Sequence, residues 1–306
     1  MAKIGFLLIR SVTLIFRLFP LCIHYVFADL IFFFSFYVFR YRRDDVAENL
    51  AKSFPEKSDE ERYRIAKHYY SHLCDTMIET LYYDRISASQ AKKHVKFLNP
   101  ELVNNYLDKG RPVIGFLGHY NNWEWFSHWP LFSKHRFYPI YKRVKNRAFD
   151  LFYYKMRSRF GGIPVERSAT FRQLIGDNIK GIPFLSPFLF DQTPRIYEFH
   201  HWTTFLNQQT AWVLGAEKVA QKLDAVVVFL NSRKIKRGYY EAEYVLVTEN
   251  AASCPKFEIT EKCARLLEKQ IIEQPEYWLW SHRRWKFNKD EAGQNKPFDS
   301  SIPGYI

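Results

Sequence analysis

Short apolar runs alternating with helix-like stretches predict an α/β protein, a mostly parallel or mixed sheet flanked by helices, led by an N-terminal hydrophobic membrane helix. Two observations carry this. Beyond Pro112, strand-like segments at Val113–Leu117, Phe137–Tyr141, Pro183–Phe190 and Ala225–Leu230 are separated by helical stretches such as Asn146–Phe160 and Asn207–Leu223. Before them, Leu18 to Phe39 is almost wholly apolar, and a span needs about 20 such residues.

The N-terminal run is not a plain span. Asp29 lies near its centre, at a cost of about 2.5–3.5 kcal/mol in a bilayer, and Pro20 kinks its start. A protected or shallow helix is therefore favoured over a bare one. Lys3, Arg10, Arg17 and His24 recur every seven residues, which places a narrow basic stripe on the helix, suited to lipid headgroups. The cluster Arg40-Tyr41-Arg42-Arg43 follows and should sit at the cytoplasmic surface. No small-residue cleavage pattern marks a signal peptide.

A helix starting at Asp44–Leu50 is broken by Phe54-Pro55, and Ser58 with Glu61 forms a capping box for a helix running toward Tyr83. Tyr239–Val247 alternates like a sheet-edge strand. The residues after Phe287 are polar and read as a loose tail.

An aromatic content of 18% exceeds what an ordinary soluble core uses and suits a membrane interface. The net charge of +13 points to anionic partners: a bilayer, phosphorylated glycolipids, an acidic carrier protein or nucleic acid. No recognisable nucleic-acid module accompanies it. Cys22, Cys74, Cys254 and Cys263 have neither disulfide-framework nor zinc spacing, which fits a reducing compartment. His200-His201 near Glu198 lacks a third ligand at a metal-site spacing, so no metal is expected.

Chemistry is expected where Val113–Leu117 ends, because α/β folds collect function at strand carboxyl ends. There the chain reads Gly118-His119-Tyr120-Asn121-Asn122-Trp123-Glu124. An imidazole takes a proton from an alcohol near neutral pH, and a carboxylate on its other ring nitrogen fixes the tautomer. Glu124 is the candidate carboxylate for His119. A competing reading makes Asn121 a helix N-cap with Glu124 reaching back to its N–H, and His119 an ordinary partly buried histidine.

His119-x-x-x-x-Glu124 resembles the His-x-x-x-x-Asp/Glu motif of glycerolipid-type acyltransferases, and its surroundings resemble the late acyltransferases of lipid A biosynthesis, the lauroyl and myristoyl transferases. Asn122-Trp123-Glu124 match that branch, with Asn121 in place of a glycine, a residue that tolerates a left-handed backbone. Asn146-x-x-x-Asp150, Arg157-Ser158-Arg159-Phe160-Gly161-Gly162, Phe190-Asp191-Gln192, Phe205-Leu206-Asn207 before Thr210, and Trp280-Ser281-His282-Arg283-Arg284-Trp285-Lys286 continue it in order.

The resemblance implies a glycerol-3-phosphate-acyltransferase-like fold, with an anchor over 1–43, an acyltransferase domain over 44–290 (helical lead-in 44–110, catalytic core 111–290) and a tail over 291–306. It implies transfer of a fatty acyl chain from acyl carrier protein or acyl-CoA to a hydroxyl of a lipid A precursor, at the cytoplasmic face of the bacterial inner membrane. His119 held by Glu124 would act as general base, with no cofactor and no acyl-enzyme. Arg159 best matches the arginine that contacts the acidic substrate, with Arg157 second; Asn122, Asp191, Gln192 and Thr210 are further substrate-binding candidates. Asp191 reads equally as a turn former, and Thr210 as a hydroxyl opening a helix. Other acceptors stay open, a lysophospholipid, an aminolipid or another glycolipid, as does an inactive basic scaffold.

Overall fold

The computed structural model describes Phe6, Ser11, Thr13, Leu14 and residues 19–195 and 201–287. Most of the basic stripe, Lys3, Arg10 and Arg17, and the C-terminal tail lie outside these residues.

The first described helix, α1 (Leu21–Phe33), continues as a π-helical turn over Phe34–Val38. It is long and apolar enough to cross a membrane by length and composition. One face, with Leu21, Tyr25 and Ala28, is buried, while Ile23, Val26, Phe27, Leu30 and Phe33 on the other are exposed. His24 does not join a basic stripe. It is buried, with Nδ1 3.0 Å from the carbonyl of Pro20. Asp29 meets Arg237 at 2.5 Å, which answers the charge that made a bare span costly.

Helix α2 (Arg43–Ser53) ends before Pro55, and α3 (Asp59–Tyr83) opens on the expected capping box: Ser58 Oγ accepts from the Glu61 N–H at 3.2 Å, and Glu61 accepts from the Ser58 N–H at 2.8 Å. After α4 (Ala88–His94), β1 (Val95–Phe97) and α5 (Pro100–Asp108), the chain enters the sheet at β2 (Val113–Leu117). β6 (Phe184–Leu189), β9 (Val226–Lys236) and β10 (Tyr239–Thr248) complete most of it. The strand order is β1-β10-β9-β2-β6-β3, with β3 spanning Arg136–Phe137. Only the β10–β9 pairing is antiparallel; the other neighbours run parallel. β10 is partly covered by β1, so its edge is open only beyond that pairing.

Every residue of the central strand β2 is buried, because helices cover both faces of the sheet. Ile114 and Phe116 join Val227, Phe229, Leu174 and Leu267 on one side, the last two from α7 (Thr170–Ile179) and α9 (Glu258–Glu273). Val113 and Leu117 join Ile78, Val103 and Met156 on the other, from α3, α5 and α6 (Arg147–Ser158).

Two expected segments differ. Phe137–Tyr141 divides between two sheets, β3 in the main one and β4 (Ile140–Tyr141) paired with β5 (Val165–Glu166). Pro139 has no N–H to continue a ladder. The stretch 207–223 begins as a hairpin, β7 (Trp202–Phe205) with β8 (Gln208–Ala211), and becomes helical only at α8 (Gly215–Leu223). Leu206 and Asn207 both have positive φ, 48° and 62°, the backbone of a two-residue hairpin turn, so Asn207 serves where glycine is usual.

Burial holds His72, His94, His128 and His282 below the ordinary imidazole value of 6.5, with His128 and His282 at about 4. The unfolded chain gains these protons as pH drops below about 6.5 and the folded chain resists them, so their contribution is complete above that pH and shrinks as pH falls, for His128 and His282 down to about 4. Glu79, whose carboxyl burial raises, works in the opposite sense, one group against four. Urea unfolding should therefore show stability falling steadily from pH 7 to 4.5. A flat unfolding midpoint across that range contradicts it.

Candidate active site

The register of two parallel strands builds the site. Leu117 of β2 lies opposite Leu189 of β6, and the N–H of Phe190 still donates to the carbonyl of Leu117 at 3.3 Å. Two residues further along each strand, His119 and Asp191 fall side by side. The His119 N–H donates to Asp191 Oδ2 at 2.8 Å, and ring Nδ1 lies 2.6 Å from Oδ1. Between strand and histidine, Gly118 is closely packed: an added Cβ would stand 2.5 Å from Leu267 Cδ1 and 3.3 Å from Asp191 Oδ2, so Leu267 would have to shift.

Asp191 is 2% exposed and takes a third donor, Trp278 Nε1, at 2.7 Å. Burial would raise its carboxyl, but the charge and hydrogen bonds of His119, with the Trp278 indole, outweigh it and hold it at about 2. An ionised Asp191 fixes the proton of His119 on Nδ1 and leaves Nε2 as a lone pair. Gln192 Nε2 sits 3.1 Å from that Nε2, donating to it, and Trp123 presents its ring at 5.0 Å in an edge-on contact.

Glu124 does not stand on the histidine's other nitrogen. Arg157 grips both its oxygens, Nε to Oε2 at 2.9 Å and Nη2 to Oε1 at 2.5 Å, a planar fork on a planar carboxylate. The capping alternative fails as well. Asn121 has φ 54°, the left-handed backbone that let it replace glycine, and Asn122 is the N-cap of the 3₁₀ segment Trp123–Leu131, with no side-chain cap.

The Glu124–Arg157 pair borders a narrow cavity of about 60 Å³, lined by Trp123, Phe126, Leu185, Leu189 and Leu230 together with Gly115 of β2. Trp123 thus touches both the histidine and this apolar chamber.

The other candidates sort by position. Asn122 turns inward, its amide donating to Glu79 Oε2 at 2.8 Å. Arg159 ends α6 on the exposed surface, with Nη2 on the carbonyl of Ile86 at 2.5 Å, and does not line the cavity. Thr210 lies in β8, donates to the Gln208 carbonyl at 2.9 Å and accepts from Trp285 Nε1 at 2.7 Å. It opens no helix, because the hairpin turn precedes it. Asn146 caps α6, accepting from the Ala148 N–H at 2.9 Å, and Asp150 accepts from the Val144 N–H at 2.9 Å.

The run Trp280–Lys286, singled out in the sequence for its resemblance alone, has a structural role that the sequence did not show. His282 Nε2 accepts from the Thr193 N–H at 3.1 Å, tying down the turn that carries Asp191 and Gln192. Arg284 is buried over the Trp212 ring, while Arg283 pairs with Asp45 at 3.0 Å. The run is packed at His282, Arg284 and Trp285, while Arg283 and Lys286 stay exposed. Among the described residues no cluster of three metal-ligating side chains occurs.

A comparison with curated proteins gives no match. The sequence model of the family described as bacterial lipid A biosynthesis acyltransferase matches residues 2–287, nearly the whole chain, so the protein belongs to that family and is an acyltransferase.

Proposed function

We propose that the protein transfers a fatty acyl chain from a thioester, acyl carrier protein or acyl-CoA, to a hydroxyl of a lipid A precursor, with His119 and Asp191 as the proton-transfer pair. The observation that carries this reading is the Asp191–His119 Nδ1 contact, which leaves Nε2 free to take a proton while the ring packs against Trp123, a residue that also lines the apolar cavity. The acceptor hydroxyl displaces the Gln192 amide from Nε2 and gives its proton to that nitrogen as its oxygen attacks the thioester carbonyl. The tetrahedral oxyanion collapses, the carbon–sulfur bond breaks and the thiolate takes the proton back from the imidazolium. Asp191 stays ionised and stabilises the imidazolium in between.

The cavity supports an acyl chain as the group bound. Its volume of about 60 Å³ suffices for a few waters only, so the chain enters as side chains such as Trp123 and Phe126 part. The exposed apolar face of α1 supports membrane association, and Arg40, Arg42 and Arg43 directly after it favour the cytoplasmic face. In this branch the acceptor hydroxyl belongs to a 3-hydroxyacyl chain on the glucosamine disaccharide. Mass spectrometry of products formed from a lipid A precursor with each donor tests the reading; acylation of a lysophospholipid or aminolipid alone would overturn it.

The two carboxylates separate by mutation. Asp191→Asn keeps the shape but not the charge, and should lower kcat about 10²–10⁴-fold with the fold intact. Glu124→Gln loses the ion pair with Arg157 but leaves the histidine's partner in place, so its loss should be smaller, about 3–30-fold, and carried by donor KM. A greater loss from Glu124→Gln would return the orienting role to Glu124.

Arg159 should act through its field. Its position on the surface predicts that Arg159→Ala weakens use of an acidic donor at low salt, and that the defect disappears near 1 M salt, where the screening length is about 3 Å. A defect that persists at high salt would place Arg159 in direct substrate contact.

A further inference from the structure

Behind the catalytic loop lies a carboxylate that the reaction does not use. Glu79, on α3, is fully buried at 0% exposure, and its two oxygens accept three side-chain donors. Tyr25 Oη of α1 reaches Oε1 at 2.8 Å, while Asn122 Nδ2 and Tyr240 Oη both reach Oε2 at 2.8 Å. The carbonyl of Glu79 also accepts from Trp125 Nε1 at 3.0 Å. Asn122 and Trp125 flank Trp123 and Glu124, two of the residues that line the cavity, the first of which also packs against His119.

A second tie runs one turn along each helix. Asp29 of α1 and Asp75 of α3 share Arg237, each at 2.5 Å, and the Arg237 guanidinium lies 4.1 Å from the Tyr25 ring centroid. At the tip of the β9–β10 hairpin, a Cβ on Gly238 would come within 2.3 Å of Tyr25 Oη, so the hairpin seats directly on the helix. A segment that only holds a protein on a bilayer needs an apolar face, and α1 has one on its exposed side. Its buried side instead supplies a hydroxyl to the carboxylate that holds the catalytic loop.

We infer that α1 is a positioning element of the active site: seated on α3, its Tyr25 completes the donors of Glu79, and Glu79 fixes the Asn122–Trp125 loop beside His119. Tyr25 and Glu79 are positioning residues, since neither lines the cavity or contacts the histidine. The inference rests on the acyl-transfer reading for its kinetic consequence, and its structural consequence is readable without activity.

The test uses the full chain on anionic phospholipid vesicles, with Tyr25→Phe, Asn122→Ala and the double variant. Deuterium exchange is followed in a peptide covering residues 119–125 and in one covering the central strand β9. Tyr25→Phe removes a single O–H and keeps the apolar body, so vesicle binding should stay at the wild-type level. Exchange should rise in the loop and not in β9, kcat should fall about 5–10-fold, as for loss of one buried hydrogen bond, and donor KM should hold. Because both residues act through one carboxylate, the double variant should lose little more than the worse single. A Val26→Ala variant on the exposed face should weaken vesicle binding without changing loop exchange. The inference fails if loop exchange and kcat stay at wild-type levels in Tyr25→Phe, if exchange rises equally in β9, if the two substitutions multiply as independent, or if turnover falls only in step with lost vesicle binding. A wild-type protein that transfers no acyl chain, while loop exchange still responds to Tyr25→Phe, overturns the proposed function and leaves the positioning role standing.

Discussion

Parallel pairing of β2 with β6, Leu117 opposite Leu189, is the constraint from which the site follows. Side chains alternate along a strand, so a slip of one residue would send every side chain of β6 to the opposite face of the sheet. The pairing is pinned from both sides: β2 is buried throughout, and Ile114 and Phe116 point to one core while Val113 and Leu117 point to the other. Hydrophobic burial of about 1.5–3 kcal/mol for each large side chain therefore fixes the place of a polar pair that contributes nothing to that burial. Chemistry rides on packing here. The absence of a side chain at Gly118 leaves room for Leu267 of α9 and the Asp191 carboxylate against it.

The two carboxylates nearest the site have different partners, Arg157 for Glu124 and His119 with Trp278 for Asp191. Glu124 is held by the Arg157 fork, so its oxygens are occupied and face the cavity wall. Asp191 receives only neutral or imidazole donors, which leaves it able to stabilise a charge that appears on His119. Had both carboxylates faced the imidazole, the second would have needed another cation or a proton of its own. The same economy governs Glu79, which is surrounded by two phenols and an amide.

Much of this was legible in the sequence. Ser58 with Glu61 marked the start of α3, Pro112 and Gly118 bounded β2, and the apolar run before Asp191 placed that residue at a strand end. The carboxylate on His119 was not legible, because a His-x-x-x-x-Glu spacing invites a local pairing, and the true partner depends on which strand lies beside β2. Strand adjacency is set by the packing of whole layers and leaves no mark within the motif. Thr210 was misplaced for the opposite reason: Leu206-Asn207 carries a hairpin signal only if a leucine is allowed a positive φ, which its side chain normally disfavours. His24 shows a similar limit. Its spacing from the three basic residues before it was real, but the contact with Pro20 and the burial of that helix face could not be read from period alone.

Trp278 gives the site a direction in time. The third donor to Asp191 comes from this residue, the backbone of Leu279 donates to the His119 carbonyl at 3.1 Å, and His282 fastens the turn after Gln192. All three lie far along the chain from the strands they complete. A nascent polypeptide emerging from the ribosome can pair β2 with β6 long before these residues exist, and it then carries a histidine and an aspartate with an unfinished shell. Synthesis at about 5–20 residues per second separates the two events by several seconds. The order of the chain leaves the surroundings of His119 and Asp191 unfinished until Trp278, Leu279 and His282 have been made.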